Sequence, residues 1–185
     1  MLVEFRLHGR GGQGAVTAAQ LLAYAAHIEG KYVQAFPFFG AERRGAPLRA
    51  FARVSNRPIL THSQVYNPDY VLVLDPQLCM IVDVTEGLKE DGIIVLNTSK
   101  HPAELKLGNW RAATVDATGI ALELGLLMAG QPVVNTSMVA AFAGASGVVR
   151  LDSVLKAIKE NWRGSVREKN AHAAELAYVR LVKWW

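Results

Sequence analysis

The chain has few of the residues and segments that mark several large protein classes. Cys79 is the only cysteine among 185 residues, which excludes an internal disulfide and any iron–sulfur cluster held by this chain alone, since such clusters take about four thiolates. No apolar run approaches the roughly 20 residues of a membrane span. The N-terminal residues also lack the pattern of a signal peptide. We therefore expect a soluble, cytoplasmic protein with no membrane partner.

Metal-ligand patterns and nucleic-acid motifs are also missing. The five histidines are scattered, and none has the spacing to another His, Cys or carboxylate that metal ligands show. The formal net charge of +4 favours anionic partners. The basic residues are spread along the chain, however, without a recognised nucleic-acid motif. We expect no metal site and no nucleic-acid partner, whereas a small anion or an acidic partner subunit fits the charge.

The chain does contain an alternation of strand-like and helix-like segments. Six segments have the apolar patterning of strands: residues 2–8, 31–39, 47–55, 70–75, 92–97 and 111–117. The second is broken at Pro37. Residues 15–30 predict a helix, and the chain after the last strand is mostly helical, with a terminal helix from about Glu168. The sequence predicts one α/β domain over residues 1–185, a three-layer Rossmann-like sandwich with a mostly parallel sheet, helices on both faces and a helical C-terminal region.

Two local patterns refine this prediction. Residues 47–55 alternate like a half-exposed strand, with Arg49, Phe51 and Arg53 on one face. Asp75 followed by Pro76 is typical of a helix start, because the side chain can cap the helix and proline needs no donor in the first turn.

A glycine-rich turn, HGRGGQGAVTAAQ at residues 8–20, joins the first strand to the first helix. Gly9, Gly11 and Gly14 satisfy the G-x-G-x-x-G spacing, which lets the backbone approach a phosphate at the helix N-terminus. The alternative is that the glycines only permit a tight strand–helix crossing. A nucleotide triphosphatase loop needs Lys and Ser or Thr after its last glycine, and a classical NAD site needs a carboxylate at the end of the second strand. The sequence has neither.

A second candidate site lies in the loop between the second and third strands. Arg43 and Arg44 stand there between two glycines, and arginine offers a planar fork of donors for phosphate or carboxylate. A solvated or intersubunit salt-bridge loop is the alternative. Farther along, Asn135 and Thr136 begin a helix, where they either act as its caps or help to line a pocket.

Four motifs taken together resemble the gamma subunit of the 2-oxoacid:ferredoxin oxidoreductases. They are the glycine turn at residues 9–14, FPFFGAERRGAP at residues 36–47, VLDP at residues 73–76 and NTSMVAAFA at residues 135–143. The resemblance runs in the same order from residue 2 to about residue 175. The paired motifs are more specific than the glycine turn alone.

This resemblance implies a multi-subunit enzyme that oxidatively decarboxylates a 2-oxoacid to acyl-CoA and CO2. Thiamine diphosphate with Mg²⁺ and the [4Fe–4S] clusters would belong to partner subunits of the alpha, beta and delta types. Ferredoxin or an NAD-linked subunit would accept the electrons. For this chain the resemblance implies a part in coenzyme A binding.

The resemblance also assigns candidate residues for coenzyme A. They are Gly11, Gly12, Gln13, Gly14, Arg43, Arg44, Asn135 and Thr136. Coenzyme A carries a diphosphate and a 3′-phosphate, which suit an amide-rich turn and guanidinium groups. We nominate no catalytic residue, because no titratable residue stands in a recognisable acid–base pair.

Two other functions stay open at this point. The glycine spacing and the double arginine also fit a free-standing NADP-dependent oxidoreductase, although no convincing catalytic acid or base accompanies them. A purely structural subunit would use the same two segments for subunit contacts. At the C-terminus, Ala174, Ala177, Tyr178, Leu181 and Trp185 share a helical stripe that predicts a core-facing surface, while tryptophans at positions 184 and 185 are alternatively a subunit contact.

Overall fold

A mixed seven-stranded sheet forms the centre of the structure. The computed structural model describes residues 1–38, 45–105, 107, 108 and 110–185. Within these residues the strands are β1 (Leu2–Arg10), β2 (Tyr32–Phe38), β3 (Pro47–Ser55), β4 (Tyr70–Val73), β5 (Ile93–Asn97), β6 (Arg111–Val115), β7 (Leu127–Met128), β8 (Gln131–Pro132) and β9 (Val182–Trp184). Strands β7 and β8 form a separate hairpin, and the other seven follow the order β2-β3-β1-β4-β5-β6-β9.

The helices fall between these strands along the chain. They are α1 (Ala15–Ile28), α2 (Ala117–Glu123), α3 (Asn135–Ser146), α4 (Leu151–Asn161) and α5 (Gly164–Val179), together with short 3-10 helices at Pro76–Met80 and Pro102–Glu104. In the part of the chain that the structure describes, none of the helices is long and apolar enough to cross a membrane.

The direction of the strands changes toward both edges of the sheet. The four central strands β1, β4, β5 and β6 are parallel, whereas β2 and β3 on one side and β9 on the other pair in antiparallel fashion. A short connection joins β2 to β3 and favours antiparallel pairing, while parallel neighbours need a longer crossover. The predicted α/β class is confirmed, and the predicted parallel pairing holds for the four central strands.

The two-residue period along each strand divides the sheet into two faces. In β1, Phe5 and Leu7 belong to the core shared with α1–α5, whereas Arg6 and His8 lie on the opposite, second face. The segments that follow β4 and β5 cover this second face and form a smaller apolar cluster that includes Leu78. The structure thus has the three expected layers, and the layer over the second face contains 3-10 helices where the first contains α-helices.

The prediction for the second and third strands needs two corrections. Strand β2 continues through Pro37, which pairs with Ala50, because an edge strand tolerates a residue that lacks an amide donor. Strand β3 is not half-exposed, since Phe51 and Arg53 are buried. The Arg53 guanidinium donates to the backbone oxygens of Thr61 and Gln64, so the chain after β3 folds back over this face.

The C-terminal prediction is correct for the existence of the helix and for part of its buried stripe. Helix α5 begins at Gly164 rather than near Glu168, and it ends at Val179. Ala174 and Ala177 are buried as predicted, whereas Tyr178 and Trp185 are 40% and 53% exposed. The chain leaves the helical stripe because residues 182–184 pair with β6 as an edge strand, a position that suits valine and tryptophan.

Candidate functional site

The connections after β1 and β4 leave the sheet on opposite sides, and we call the place between them, at the carboxyl ends of these two strands, the β1/β4 crevice. The connection after β1 enters α1, which packs in the α-helical layer. The connection after β4 enters the 3-10 helix Pro76–Met80, which packs on the second face. In open α/β sheets, ligands bind outside the carboxyl ends of strands at such a switch point. The structure places the glycine turn (residues 9–14) and Asp75 at this β1/β4 crevice.

The glycines of this turn are required for different reasons. A Cβ on Gly9 would lie 3.0 Å from the Ala15 Cβ, and one on Gly14 would lie 2.9 Å from Asn135 Nδ2. Close packing of strand and helix therefore accounts for these two positions. Gly12 has a φ of +94° but meets no described atom within 4 Å of an added Cβ. The backbone conformation alone therefore requires glycine at this position, and among the described residues nothing lies where a side chain would be.

A hydrogen-bonded network fixes the turn at the crevice. The Arg10 amide donates to Gln13 Oε1 at 2.7 Å, and the Gln13 amide donates back to the Arg10 carbonyl oxygen at 3.0 Å. Arg10 Nε donates to Asp75 Oδ2 at 2.6 Å, and Gln13 Nε2 reaches the same oxygen at 3.3 Å. These bonds tie the end of β1 and the turn to the residue that follows β4.

The same turn is bonded to the return segment (residues 45–47), which leads into β3. The Gly11 amide donates to the Ala46 carbonyl oxygen at 3.0 Å, and the Gly45 amide donates to the Gly11 carbonyl oxygen at 3.3 Å. Arg10 Nη1 adds a third bond, to the Gly45 carbonyl oxygen at 3.2 Å. The last residues of the second stretch singled out in the sequence therefore meet the glycine turn at the crevice. Arg43 and Arg44 themselves lie outside the described residues, so their predicted role stays a prediction.

Asn135 and Thr136 lie just inside the start of α3, whose N-cap is Val134. Asn135 Oδ1 accepts the Thr136 amide at 2.8 Å, so Asn135 still satisfies one free donor of the first turn, whereas Thr136 has no such role. Asn135 contacts Gly14 from α3 and so borders the glycine turn. Thr136 is fully buried, and its hydroxyl donates to Asn170 Oδ1 at 3.0 Å. Asn135 therefore lies at the site, whereas Thr136 lies in the protein interior beside Asn170.

Sequence reasoning gave no site role to the polar residues at the ends of the parallel strands and explained Asp75 by helix capping alone. Arg10 ends β1, Asp75 follows β4, and Asn97 ends β5. Asn97 Nδ2 donates to the Leu74 carbonyl oxygen at 2.8 Å and to Thr118 Oγ1 at 2.9 Å. The available signal was their position, since the carboxyl ends of parallel strands meet at one edge of the sheet.

The second face below the crevice carries a buried basic cluster. Arg6 Nη2 donates to the carbonyl oxygens of Val84 and Glu86, and Arg6 Nε donates to His8 Nε2 at 3.1 Å. Burial, and then the positive charges of Arg6 and Arg49, lower the pKa of His8 to about 3. His8 is therefore neutral at physiological pH and serves as a hydrogen-bond acceptor.

A cavity of about 410 Å³ lies beside the carboxyl ends of β5 and β6, between Thr98 and Val182. Its Arg180 guanidinium is occupied by Glu123, with Nη1–Oε2 and Nη2–Oε1 distances of 2.7 and 3.2 Å. This pairing leaves little uncompensated positive charge in the cavity for an anion. The N-terminus of α1, which follows the glycine turn, makes the β1/β4 crevice the better candidate for a phosphate-bearing ligand.

The chain is similar to known proteins over nearly its whole length. The family model described as pyruvate ferredoxin/flavodoxin oxidoreductase matches residues 4–179. Pyruvate synthase subunit PorC of Methanothermobacter thermautotrophicus is 55% identical over 182 residues, which cover 98% of this chain and 97% of the relative. The common gamma subunit of the pyruvate/ketoisovalerate oxidoreductases of Thermococcus kodakarensis is 55% identical over 185 residues, with 98% of each chain covered.

Two solved structures share the fold. Pyruvate oxidoreductase subunit PORC of Thermotoga maritima superposes with a TM-score of 0.86 at 37% identity and covers 100% of this chain and 99% of that one. The 2-oxoglutarate:ferredoxin oxidoreductase of Magnetococcus marinus, solved with 2-oxoglutarate, coenzyme A and succinyl-CoA bound, gives a TM-score of 0.71 at 16% identity. It covers 96% of this chain and 30% of that longer chain, and at this identity the likeness concerns the fold.

Proposed function

The chain belongs to the pyruvate ferredoxin/flavodoxin oxidoreductase family, and we propose that it is the gamma subunit of a 2-oxoacid:ferredoxin oxidoreductase complex in which it helps to bind coenzyme A. The complex would convert a 2-oxoacid to acyl-CoA and CO2 and reduce ferredoxin or a related acceptor. This chain would hold the coenzyme and contact its partner subunits.

The coenzyme role is supported by the hydrogen bonds that join the glycine turn to the return segment. The Gly11 amide is bonded to Ala46, and Arg10 is bonded to Gly45, so the residues directly after Arg43 and Arg44 are attached to the turn. Backbone amides and guanidinium groups are the two features that a diphosphate and a 3′-phosphate require. The junction joins the glycine turn to the return segment, which directly follows Arg44 in the sequence.

Each candidate residue has a distinct part in this proposal. Gly12 and Gly14 present the backbone of the turn, whereas the amides of Gly11 and Gln13 are engaged in the bonds that shape it. Asn135 borders the turn from α3. Arg43 and Arg44 supply the guanidinium groups. Because its hydroxyl is engaged by Asn170, Thr136 supports the start of α3 and does not touch the coenzyme.

The redox cofactors of the complex belong to the partner subunits in this scheme. Cys79 is the only thiol of the chain, and burial raises its pKa, whereas a [4Fe–4S] cluster takes about four thiolates. The donor set of this chain does not fit a cluster. Thiamine diphosphate with Mg²⁺, held by a partner, would supply the carbanion chemistry at the 2-oxoacid.

The contact with partner subunits is proposed from exposed apolar side chains. Met80 and Ile81, at the end of the 3-10 helix that follows Asp75, are 90% and 58% exposed. Trp184 and Trp185 at the C-terminus are 56% and 53% exposed. Large apolar side chains of this kind are enriched in protein interfaces.

The coenzyme role is tested by measuring coenzyme A affinity calorimetrically on the complex purified through this chain. Gly12→Ala alters the open part of the turn, and Gly30→Ala is its matched control. Both glycines have positive φ, +94° and +79°, and neither added Cβ would meet a described atom within 4 Å. The double change Arg43→Ala, Arg44→Ala tests the guanidinium groups independently.

We expect Gly12→Ala and the double arginine change each to raise the coenzyme A dissociation constant by about tenfold, or about 1.4 kcal/mol, with Gly30→Ala unchanged. Wild-type affinity in both test variants contradicts the coenzyme role. Loss of subunits at unchanged affinity supports a purely structural role. Turnover of NADPH by the chain alone would instead support the free-standing oxidoreductase.

A further inference from the structure

We propose that Asp75 is a positioning residue whose carboxylate, acting through Arg10 and Gln13, holds the glycine turn and the return segment in the arrangement that receives coenzyme A. This inference rests on the proposed function and adds to it. In the sequence, Asp75 is explained by helix capping alone. The structure gives its second oxygen a separate task.

The two oxygens of the Asp75 carboxylate have different partners. Oδ1 accepts from the Gln77 amide at 2.9 Å, which is the capping bond of the following 3-10 helix. Oδ2 points across the crevice and accepts from Arg10 Nε at 2.6 Å and from Gln13 Nε2 at 3.3 Å. The side chain of Asp75 is only 10% exposed, so solvent screens this ion pair weakly.

From Arg10 the same network reaches the return segment. Arg10 donates through Nη1 to the Gly45 carbonyl oxygen at 3.2 Å while its Nε is bound to Asp75. Gln13, held by Asp75, accepts the Arg10 amide through Oε1 at 2.7 Å. One carboxylate therefore orders both chain segments that border the crevice. The Arg10 charge is compensated by Asp75, so Arg10 acts as a brace for the backbone and leaves phosphate binding to other groups.

Capping and positioning make different demands on this residue. Asparagine caps a helix about as well as aspartate, so a residue that only caps would tolerate Asp75→Asn. If the asparagine oxygen keeps the Gln77 amide, its Nδ2 faces the donors Arg10 Nε and Gln13 Nε2, and the bond across the crevice is lost. A preorganised site then becomes a mobile one, and ligand binding must order it again.

The experiment compares Asp75→Asn with Asp69→Asn in the complex purified through this chain. Asp69 lies at the other end of β4, and it is a matched carboxylate with two partners, since its oxygens accept from the Glu4 amide at 2.8 Å and from Lys89 Nζ at 2.7 Å. The first measurement is amide hydrogen exchange of residues 9–14 and 45–47 without coenzyme. The second is steady-state kinetics, which gives the KM for coenzyme A and kcat.

For Asp75→Asn we expect faster exchange in both segments and a KM for coenzyme A raised about tenfold, with kcat within about twofold of wild type. Asp69→Asn leaves these exchange rates and the KM unchanged. Arg10→Met removes both the ion pair with Asp75 and the bond to Gly45 without touching the capping bond. If Asp75→Asn fails to fold, Arg10→Met must therefore show the same pattern.

Wild-type exchange in residues 45–47 for Asp75→Asn overturns the coupling of the two segments. Faster exchange with an unchanged KM overturns the positioning role, provided that Gly12→Ala weakens coenzyme binding. If Gly12→Ala and the double arginine change also bind coenzyme A normally, the proposed function fails and the coenzyme part of this inference fails with it. The exchange result then still decides whether Asp75 orders the two segments.

Discussion

Gly14 at the start of α1 is in contact with Asn135 at the start of α3, and a Cβ on Gly14 would lie 2.9 Å from Asn135 Nδ2. The two residues are far apart in the sequence, yet they join the glycine turn to the helix that supports it. Gly14 also has a φ of +83°, which side chains other than glycine rarely adopt. The position therefore excludes a side chain for two independent reasons.

Gly14→Ala is expected to destabilise the chain more than a change at a glycine with positive φ alone. The left-handed conformation costs about 1–2 kcal/mol for alanine, and displacing Asn135 adds to this cost. Gly147→Ala is the matched control, since Gly147 has a φ of +65° and an added Cβ would meet no described atom within 4 Å. Urea unfolding of the full chain measures both. Adding Asn135→Ala to Gly14→Ala should recover part of the loss, and equal effects of the two glycine changes contradict the contact.

Arg6→Met is expected to lower the free energy of unfolding by about 3 kcal/mol. Arg6 is only 2% exposed, and methionine would fill much of its space but leave the carbonyl oxygens of Val84 and Glu86 without their donor. Unpaired buried polar groups cost about 1–3 kcal/mol each. Arg57→Met, at an exposed position, should stay within about 0.5 kcal/mol of wild type. A loss at Arg6 no larger than at Arg57 would show that the segment covering the second face does not depend on this guanidinium.

His8 is expected to make the chain less stable as the pH falls. Burial first, and then the charges of Arg6 and Arg49, lower its pKa from 6.5 to about 3. The unfolded state therefore binds a proton below about pH 6.5 that the folded state takes up only near pH 3, and stability rises with pH in this window by up to about 1.4 kcal/mol per pH unit. Above about pH 6.5 His8 is neutral in both the folded and the unfolded state, so it no longer makes stability depend on pH.

His8→Gln, which keeps an acceptor for Arg6, should reduce the slope of unfolding free energy against pH between about 4 and 6. The measurement is a series of urea unfolding curves at fixed ionic strength. His27→Gln is the control, because His27 is exposed and its removal should leave the slope unchanged. A His8→Gln slope equal to that of wild type would mean that His8 is not the group that couples protonation to folding.

The local parts of the fold and site could be predicted from the sequence. The glycine spacing predicts the strand–turn–helix unit, and Asp75–Pro76 predicts a helix start that the Gln77 amide confirms. These features depend on the conformational preferences of neighbouring residues. Their signals lie within a few positions of one another, so a single sequence contains them completely.

The remaining features depend on partners that a local pattern does not identify. The burial of Arg53 requires the chain after β3 to return over it, and the contact of Gly14 with Asn135 requires α3 to dock beside α1. A basic residue at alternate strand positions is usually exposed, so alternation predicted the wrong environment for Arg53. Likewise, the apolar spacing of a helix continues in the sequence to Trp185. The helix itself ends at Val179, and residues 182–184 pair with β6 instead.

The exposed C-terminal tryptophans are expected to contact a partner subunit. Trp184 packs against His101 with ring centroids 5.4 Å apart, yet 56% of its surface remains exposed. Trp184→Thr with Trp185→Thr removes this apolar surface while keeping residues that favour a strand. We expect the double variant to release subunits from the purified complex at concentrations where wild type stays intact, as measured by native mass spectrometry. The melting temperature of the chain alone should change little, because both side chains lie outside the core.

Tyr32→Thr is the matched control for this experiment. Tyr32 is 50% exposed on β2, at the opposite edge of the sheet, so it tests whether any loss of an exposed aromatic ring weakens the complex. Release of subunits by the tryptophan changes alone places an interface at the β9 edge. Release by Tyr32→Thr alone places it at the β2 edge and contradicts the tryptophan contact. Tyr32 pairs with Ser55, which also pairs with Leu2 at the start of β1, so such an interface would lie at the end of the sheet away from the glycine turn and would leave the coenzyme crevice outside it.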